Sequence, residues 1–202
     1  LSVTLLFIFP AMLFSLFFTK EKLRYPQLHV KPKMILLLLA AVVFITAMPA
    51  IAWMDEVNKK MLLPESLTRL EAWMKTSEDT LKTLTEAFLA DASVGGLIVN
   101  LIVIAFIAAF SEELFFRGVV QQSLREATGN IHAAVWITGI LFSAFHMQFY
   151  GFIPRMLMGV ILGYSFVWSG SLWVSIFAHF INNGIAVVLA WLAQRGTIPQ
   201  DI

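Results

Sequence analysis

The 202-residue chain contains no cysteine, which excludes disulfides, thiolate metal sites and a cysteine nucleophile together and leaves the redox character of its compartment unmarked. Charge is scarce as well. Only 13% of residues are Asp, Glu, Lys or Arg, against roughly 25% in a soluble domain, while 59% are hydrophobic. A chain of this composition belongs in a bilayer. Neither sign of charge dominates, the formal net charge being +1, which argues against nucleic acid or any other polyanionic partner. No internal repeat is evident, and no Gly-x-Ser-x-Gly accompanies the later histidines. There is no His-Glu-x-x-His and no aspartate inside an apolar run. These absences weigh against a repeat-built transporter, a serine or aspartyl intramembrane protease and a zincin-type metal site.

What is present is a succession of long apolar runs. Measured against the roughly 20 residues a spanning helix needs, about six candidate spans appear, at 1–18, 34–53, 94 to about 117, 131 to about 149, 152–168 and 171–192. The expected fold is all-α, a polytopic transmembrane helix bundle forming one membrane domain over 1–202. It divides into two N-terminal spans with a basic loop (1–53), an amphipathic insertion (54–93) and a core of later spans (94–193). Pro49 is placed to kink the second span. The chain opens at Leu1, directly in an apolar run, and is expected to begin inside a longer protein.

Two polar connections set an orientation. Between the first two spans, Lys20, Lys22, Arg24, Lys31 and Lys33 face a lone Glu21, the signature of a cytoplasmic loop. The insertion sets Lys59, Lys60, Arg69, Lys75 and Lys82 against a larger number of acids and is expected on the opposite face. Alternation then puts Arg125 inside and Arg155 and Arg195 outside. Within the insertion, Leu67, Leu70 and Met74 repeat at helical spacing, as do Leu81, Leu84 and Phe88. Ser77, followed by Glu78 and Asp79, resembles an N-cap. The spacing predicts two amphipathic helices lying on the membrane surface or capping the bundle.

One stretch is chemically costly where it stands. Phe110-Ser111-Glu112-Glu113-Leu114-Phe115-Phe116-Arg117 places two acids and a guanidinium in an apolar run, and a charge near the bilayer centre costs about 2.5 to 3.5 kcal/mol. Glu113 and Arg117 are one helical turn apart and can pair. Glu112 is turned by about 100° from Glu113 and is the freer carboxylate. Later runs carry Phe142 with His146, and His179 with Asn183, each pair four apart and so on one helical face. His132 follows Gly129-Asn130 at a helix start and His29 lies in the basic loop; both read as structural.

Glu112-Glu113-x-x-x-Arg117, Phe142-x-x-x-His146 and His179-x-x-x-Asn183, in that order on three apolar helices, resemble the motifs of the CAAX prenyl protease and bacteriocin-processing (Abi) family of intramembrane endopeptidases. The resemblance covers about half the chain. It implies a multi-pass integral membrane protein of the cell membrane that cuts a peptide bond near the membrane in a peptide or protein substrate, lipidated or not. By the same resemblance Glu112 is the base activating water, assisted by His146. His179 and Asn183 stabilise the oxyanion, and Glu113 with Arg117 orients the site. No cofactor is required on the favoured reading. The alternative is a zinc enzyme with Glu112, His146 and His179 as ligands. A non-catalytic scaffold or a transporter built on a buried Glu/His/Arg network stands outside the protease class.

Overall fold

The computed structural model of the protein describes residues 2–17, 26–61 and 63–199. Lys20, Glu21, Lys22 and Arg24 of the basic loop lie outside the described residues. The described chain is helical, without strands: α1 (Ser2–Phe17), α2 (Met34–Lys59), α3 (Thr68–Leu89), α4 (Val94–Thr128), α5 (Ile131–Phe145), α6 (Phe152–Ser169) and α7 (Leu172–Gln194). Among the described residues four helices, α2, α4, α7 and the segment Phe149–Ser169, are long and apolar enough to cross a membrane, and α5 is a shorter apolar helix. The protein is a multi-pass integral membrane helix bundle.

Several boundaries depart from the sequence reading, each for a physical reason. The second span runs through Pro49 to Lys59 instead of ending near residue 53, because Lys59 pairs one turn back with Asp55 at 2.6 Å and continues the helix past its apolar part. The third continues well past Arg117 to Thr128. A guanidinium neutralised inside the bundle is no boundary signal, and the helix stops only at Gly129, whose φ of 63° is the left-handed conformation of a C-cap. Asn130 then caps α5 by accepting from the backbone N–H of His132 and Ala133. The fourth span ends at Phe145 instead of residue 149, where the chain turns through Met147 at φ 54°.

The insertion holds one amphipathic helix where two are predicted. No Gly or Pro interrupts Thr68–Leu89, and Ser77 lies in its interior instead of at a cap. Its threonines satisfy themselves within the helix, Thr76 donating to the carbonyl of Ala72, Thr80 to Thr76 and Thr83 to Asp79 at 2.8 to 2.9 Å. Asn100 of α4 binds the Phe88 carbonyl at 3.0 Å and Trp191 of α7 binds that of Ala92 at 3.0 Å, tying the end of the insertion to the bundle.

At 1.5 Å per residue the 15 residues of α5 rise about 22 Å, less than the roughly 30 Å of a hydrocarbon core. The turn into α6 has its backbone groups satisfied by protein. Asn58 does so twice, donating to the Phe149 carbonyl at 3.1 Å and accepting from Ile153 N–H at 2.9 Å. Glu78 of α3 accepts from Tyr150 N–H at 3.1 Å, and Ser143 donates to the Phe152 carbonyl at 2.7 Å. Helices α5 and α6 cross closely because Gly139 meets Gly159: a Cβ on Gly159 would sit 3.1 Å from the Gly139 Cα.

Candidate active site

Glu112 and Glu113 lie near the middle of α4 between two π-helical stretches, Leu101–Ile107 and Phe116–Gln121. Such stretches re-aim side chains relative to a regular helix and recur at functional sites. Glu113 and Arg117 are wholly buried and paired at 2.6 Å, as the spacing predicts. The pair is embedded in a larger network. Glu113 Oε1 also accepts from His179 Nδ1 at 2.9 Å, and its Oε2 accepts from the Ser175 hydroxyl. Arg117 donates to the Gly159 carbonyl at 2.8 Å and lies over the Phe142 ring, its Cζ 4.7 Å from the centroid. Four helix segments thus meet on one acid and one cation, which repays their desolvation through several charge-assisted contacts.

Glu112 has a different environment. Its Oε2 faces His146 Nε2 at 3.5 Å and His179 Nε2 at 3.9 Å, yet it is buried without a hydrogen bond. Both imidazoles are held from behind. His146 Nδ1 lies 2.7 Å from the Phe142 carbonyl, which only accepts, so Nδ1 carries the proton. His179 Nδ1 donates to the Glu113 carboxylate. With Nδ1 engaged in each ring, both Nε2 atoms are left facing the Glu112 oxygen. A proton shared among the three, or a bridging water, satisfies all of them.

The remaining predicted residues fall around this centre. Asn183 is one turn along α7 from His179, its side-chain amide donating to the Ile104 carbonyl at 3.4 Å and accepting from Asn182 at 3.2 Å. Phe142 packs against both histidines, with ring centroids 4.7 Å from His146 and 5.7 Å from His179, and so spaces them while stacking on Arg117. His132 is at the far end of α5, bonded to the Tyr164 hydroxyl at 2.7 Å. Sequence reasoning missed Ser175 and Gly159. Ser175 carried a usable signal, lying four residues before His179 on the same face of α7; a carbonyl partner such as that of Gly159 carries none.

Two imidazole nitrogens and a carboxylate oxygen, each ring oriented through Nδ1, are donor types suited to zinc. Among the described residues, no three His, Asp or Glu are disposed as a metal-holding group.

Comparison with known proteins agrees with the motifs. Residues 94–185 match the family model described as Rce1-like, type II CAAX prenyl endopeptidase. Uncharacterized protein YpbD of Bacillus subtilis (strain 168) is 30% identical over 90 residues, which is 43% of this chain and 43% of that protein. The chain thus matches less than half the length of that relative. No solved structure matches. All three motifs, and every side chain that converges on Glu112 and Glu113, lie inside residues 94–185, the stretch that is similar to the Rce1-like CAAX prenyl endopeptidases.

Proposed function

We propose that the protein is an intramembrane endopeptidase in which Glu112 is the general base. The observation that carries this reading is the asymmetry of the two acids. Glu113 is saturated by Arg117, His179 and Ser175, whereas Glu112 is buried, free of hydrogen bonds and faced by two oriented imidazoles. A water between Glu112 and His146 loses a proton to the carboxylate as its oxygen attacks the peptide carbonyl carbon. The oxyanion that forms is met by His179 Nε2–H, whose imidazolium form Glu113 supports through Nδ1, and by the Asn183 amide. Collapse breaks the C–N bond, and the departing amine takes the proton from Glu112.

A second reading takes the two Nε2 atoms and the Glu112 carboxylate as a zinc set by donor type, although they are not disposed as a metal-holding group. Glu112, His146 and His179 would then hold zinc, which supplies Lewis acidity and a more acidic water. That reading needs a separate base, and Glu113 is fully engaged.

The test compares membrane peptides in cells carrying the intact protein and the Glu112→Ala form, followed by cleavage of the identified peptide by purified protein with and without strong chelator. Cleavage that survives chelation, in a preparation holding well under one metal per chain, supports the metal-free scheme. A stoichiometric metal lost together with activity moves the three residues into ligand roles. No peptide differing between the two cell populations sinks the protease reading.

A further inference from the structure

Helix α3 presents three different sides. Glu71, Met74, Glu78 and Leu81 turn toward the bundle and are half-buried. Lys75, Asp79, Lys82 and Glu86 form a charged side that is exposed. Leu70, Trp73, Leu84 and Phe88 fall on a third side at helical spacing, yet they are 44 to 67% exposed. Trp73 touches Phe149 at one edge of this stripe, with ring centroids 5.4 Å apart. Four large apolar side chains uncovered on one stripe mark an interaction surface.

The level at which α3 sits says what covers that stripe. The Phe88 carbonyl accepts from the Asn100 side chain at 3.0 Å, and Asn100 is six residues, about 9 Å, along α4 from Val94. Around Asn100, Ile98, Val99, Ile102 and Val103 are exposed apolar residues of a membrane-spanning helix and so face lipid. The C-terminal end of α3 therefore lies level with lipid-facing residues of α4. On the chain before α3, Trp53 and Val57 of the spanning helix α2 and Met61 just beyond it are exposed as well. The uncovered stripe thus continues the lipid-facing surface of the spans on either side of it. Its helix carries three basic and four acidic side chains, so attraction to an anionic surface does not hold it and apolar burial must.

We infer that α3 is an interfacial helix seated in the leaflet on the insertion's side. Leu70, Trp73, Leu84 and Phe88 lie at the boundary of headgroups and acyl chains, and the charged side faces water. The seat holds whether or not the protein cleaves peptides. It also braces the turn that follows His146. Glu78 accepts from Tyr150 N–H at 3.1 Å and Glu71 from the Tyr150 hydroxyl at 3.2 Å, four residues beyond the imidazole that faces Glu112. Lipid contact on one side of α3 thereby holds the turn on another.

The test places single cysteines at exposed positions of the full chain. Leu70→Cys, Leu84→Cys and Phe88→Cys report on the stripe, and Lys75→Cys, Asp79→Cys and Glu86→Cys on the charged side. Each variant is spin-labelled and reconstituted in vesicles of phosphatidylcholine, with and without phosphatidylglycerol. Power saturation then reads collisions with oxygen, which concentrates in lipid, and with a water-soluble nickel chelate. The oxygen-to-nickel ratio is expected to be several-fold higher on the stripe than on the charged side in both kinds of vesicle. Equal ratios on the two sides would show a helix capping the bundle in water, and stripe labels shielded from both reagents would show a protein partner. Either result overturns the seat, as does a contrast that needs phosphatidylglycerol. The double variant Leu84→Ser/Phe88→Ser keeps Glu71 and Glu78, and in vesicles it should quicken hydrogen exchange of the Tyr150 amide several-fold. An unchanged rate overturns the brace. Should the double variant fail to fold, Phe88→Ser alone carries the same comparison.

Discussion

Adjacent glutamates on one helix would be expected to behave alike, and their surroundings make them opposites. Removing the charge of Glu113 strands Arg117 in the bundle, and breaking a buried pair this way costs about 3 to 5 kcal/mol. Glu113→Gln should lower the melting temperature in detergent and the yield of folded protein, with activity falling in consequence. Ser175→Ala should act in the same direction more mildly, by about 1.5 to 3 kcal/mol, because it removes one hydrogen bond to a charged acceptor. Glu112→Gln leaves Arg117 paired with Glu113 and removes a buried charge that has no hydrogen bond. It should melt at or above the unmodified protein while abolishing cleavage. If Glu112→Gln unfolds as badly as Glu113→Gln, or keeps appreciable cleavage, Glu112 is a structural acid. The Glu113–Arg117 pair was legible because spacing of four on a helix is geometry local to the chain. The convergence of His146 and His179 on Glu112 was legible only through the family resemblance. The work of Phe142, Ser175 and Gly159 was hidden because it arises where separate helices meet.

Helices carry the same lesson. Apolar runs located the spans, but hydropathy marks where the chain is greasy and not where its hydrogen-bond ladder stops. The ends of α2 and α4 therefore lay beyond the apolar edge, and α5 stopped short of it. In the insertion, residues 67, 70, 74, 81, 84 and 88 belong to one repeat, and reading Ser77 as a cap divided a helix that nothing in the sequence breaks. Two predictions belong here. Gly159→Ala adds a Cβ 3.1 Å from the Gly139 backbone, which cannot yield as a side chain would. Overpacking of this kind costs about 1 to 3 kcal/mol and shifts the carbonyl that Arg117 uses, so both melting temperature and cleavage should fall. The second concerns the contact of α3 with the α5–α6 turn, where Glu71 accepts from the Tyr150 hydroxyl at 3.2 Å and Trp73 packs on Phe149 at 5.4 Å. The Lys75 ammonium, 3.0 Å from Glu71, hydrogen-bonds it and holds its carboxyl below the ordinary value. Its contribution is therefore complete above the ordinary carboxyl range and is lost as pH falls through the lowered value. Hydrogen exchange of residues 68–89 should be unchanged by this group between about pH 7 and 5, once corrected for intrinsic rates, and should quicken below about pH 4. Quickening already between pH 7 and 5 would show that another group governs the contact.

For the whole molecule, the end that holds the insertion also holds the cavity lined by Arg155 and Asn182. Asn58 near the C-terminal end of α2, the α5–α6 turn, Glu71 and Glu78 of α3 and the cavity lined by Arg155 and Asn182 lie together, while the basic connection lies at the other end of α2. Water and substrate should therefore reach Glu112 from the face that bears the insertion. If the basic connection faces the cytoplasm, as its charge predicts, that face is the one away from it. Two arginines weighed against this orientation when counted from sequence alone. Arg155 no longer counts, since it serves the turn and the cavity instead of standing in a loop, and Arg195 is drawn back over the Trp191 ring at 4.7 Å. The absence of cysteine from residues 1–202 makes the test clean, because each introduced thiol is the sole target within them. In intact cells an impermeant thiol reagent should label Lys82→Cys in the insertion and leave Lys31→Cys untouched until the membrane is opened. A substrate peptide added outside should be cleaved by the same unopened cells. Labelling of Lys31→Cys alone would invert the orientation, and cleavage should then require permeabilisation. Labelling of Lys82→Cys together with cleavage only after permeabilisation would separate the insertion from the opening and refute the placement of the site's mouth.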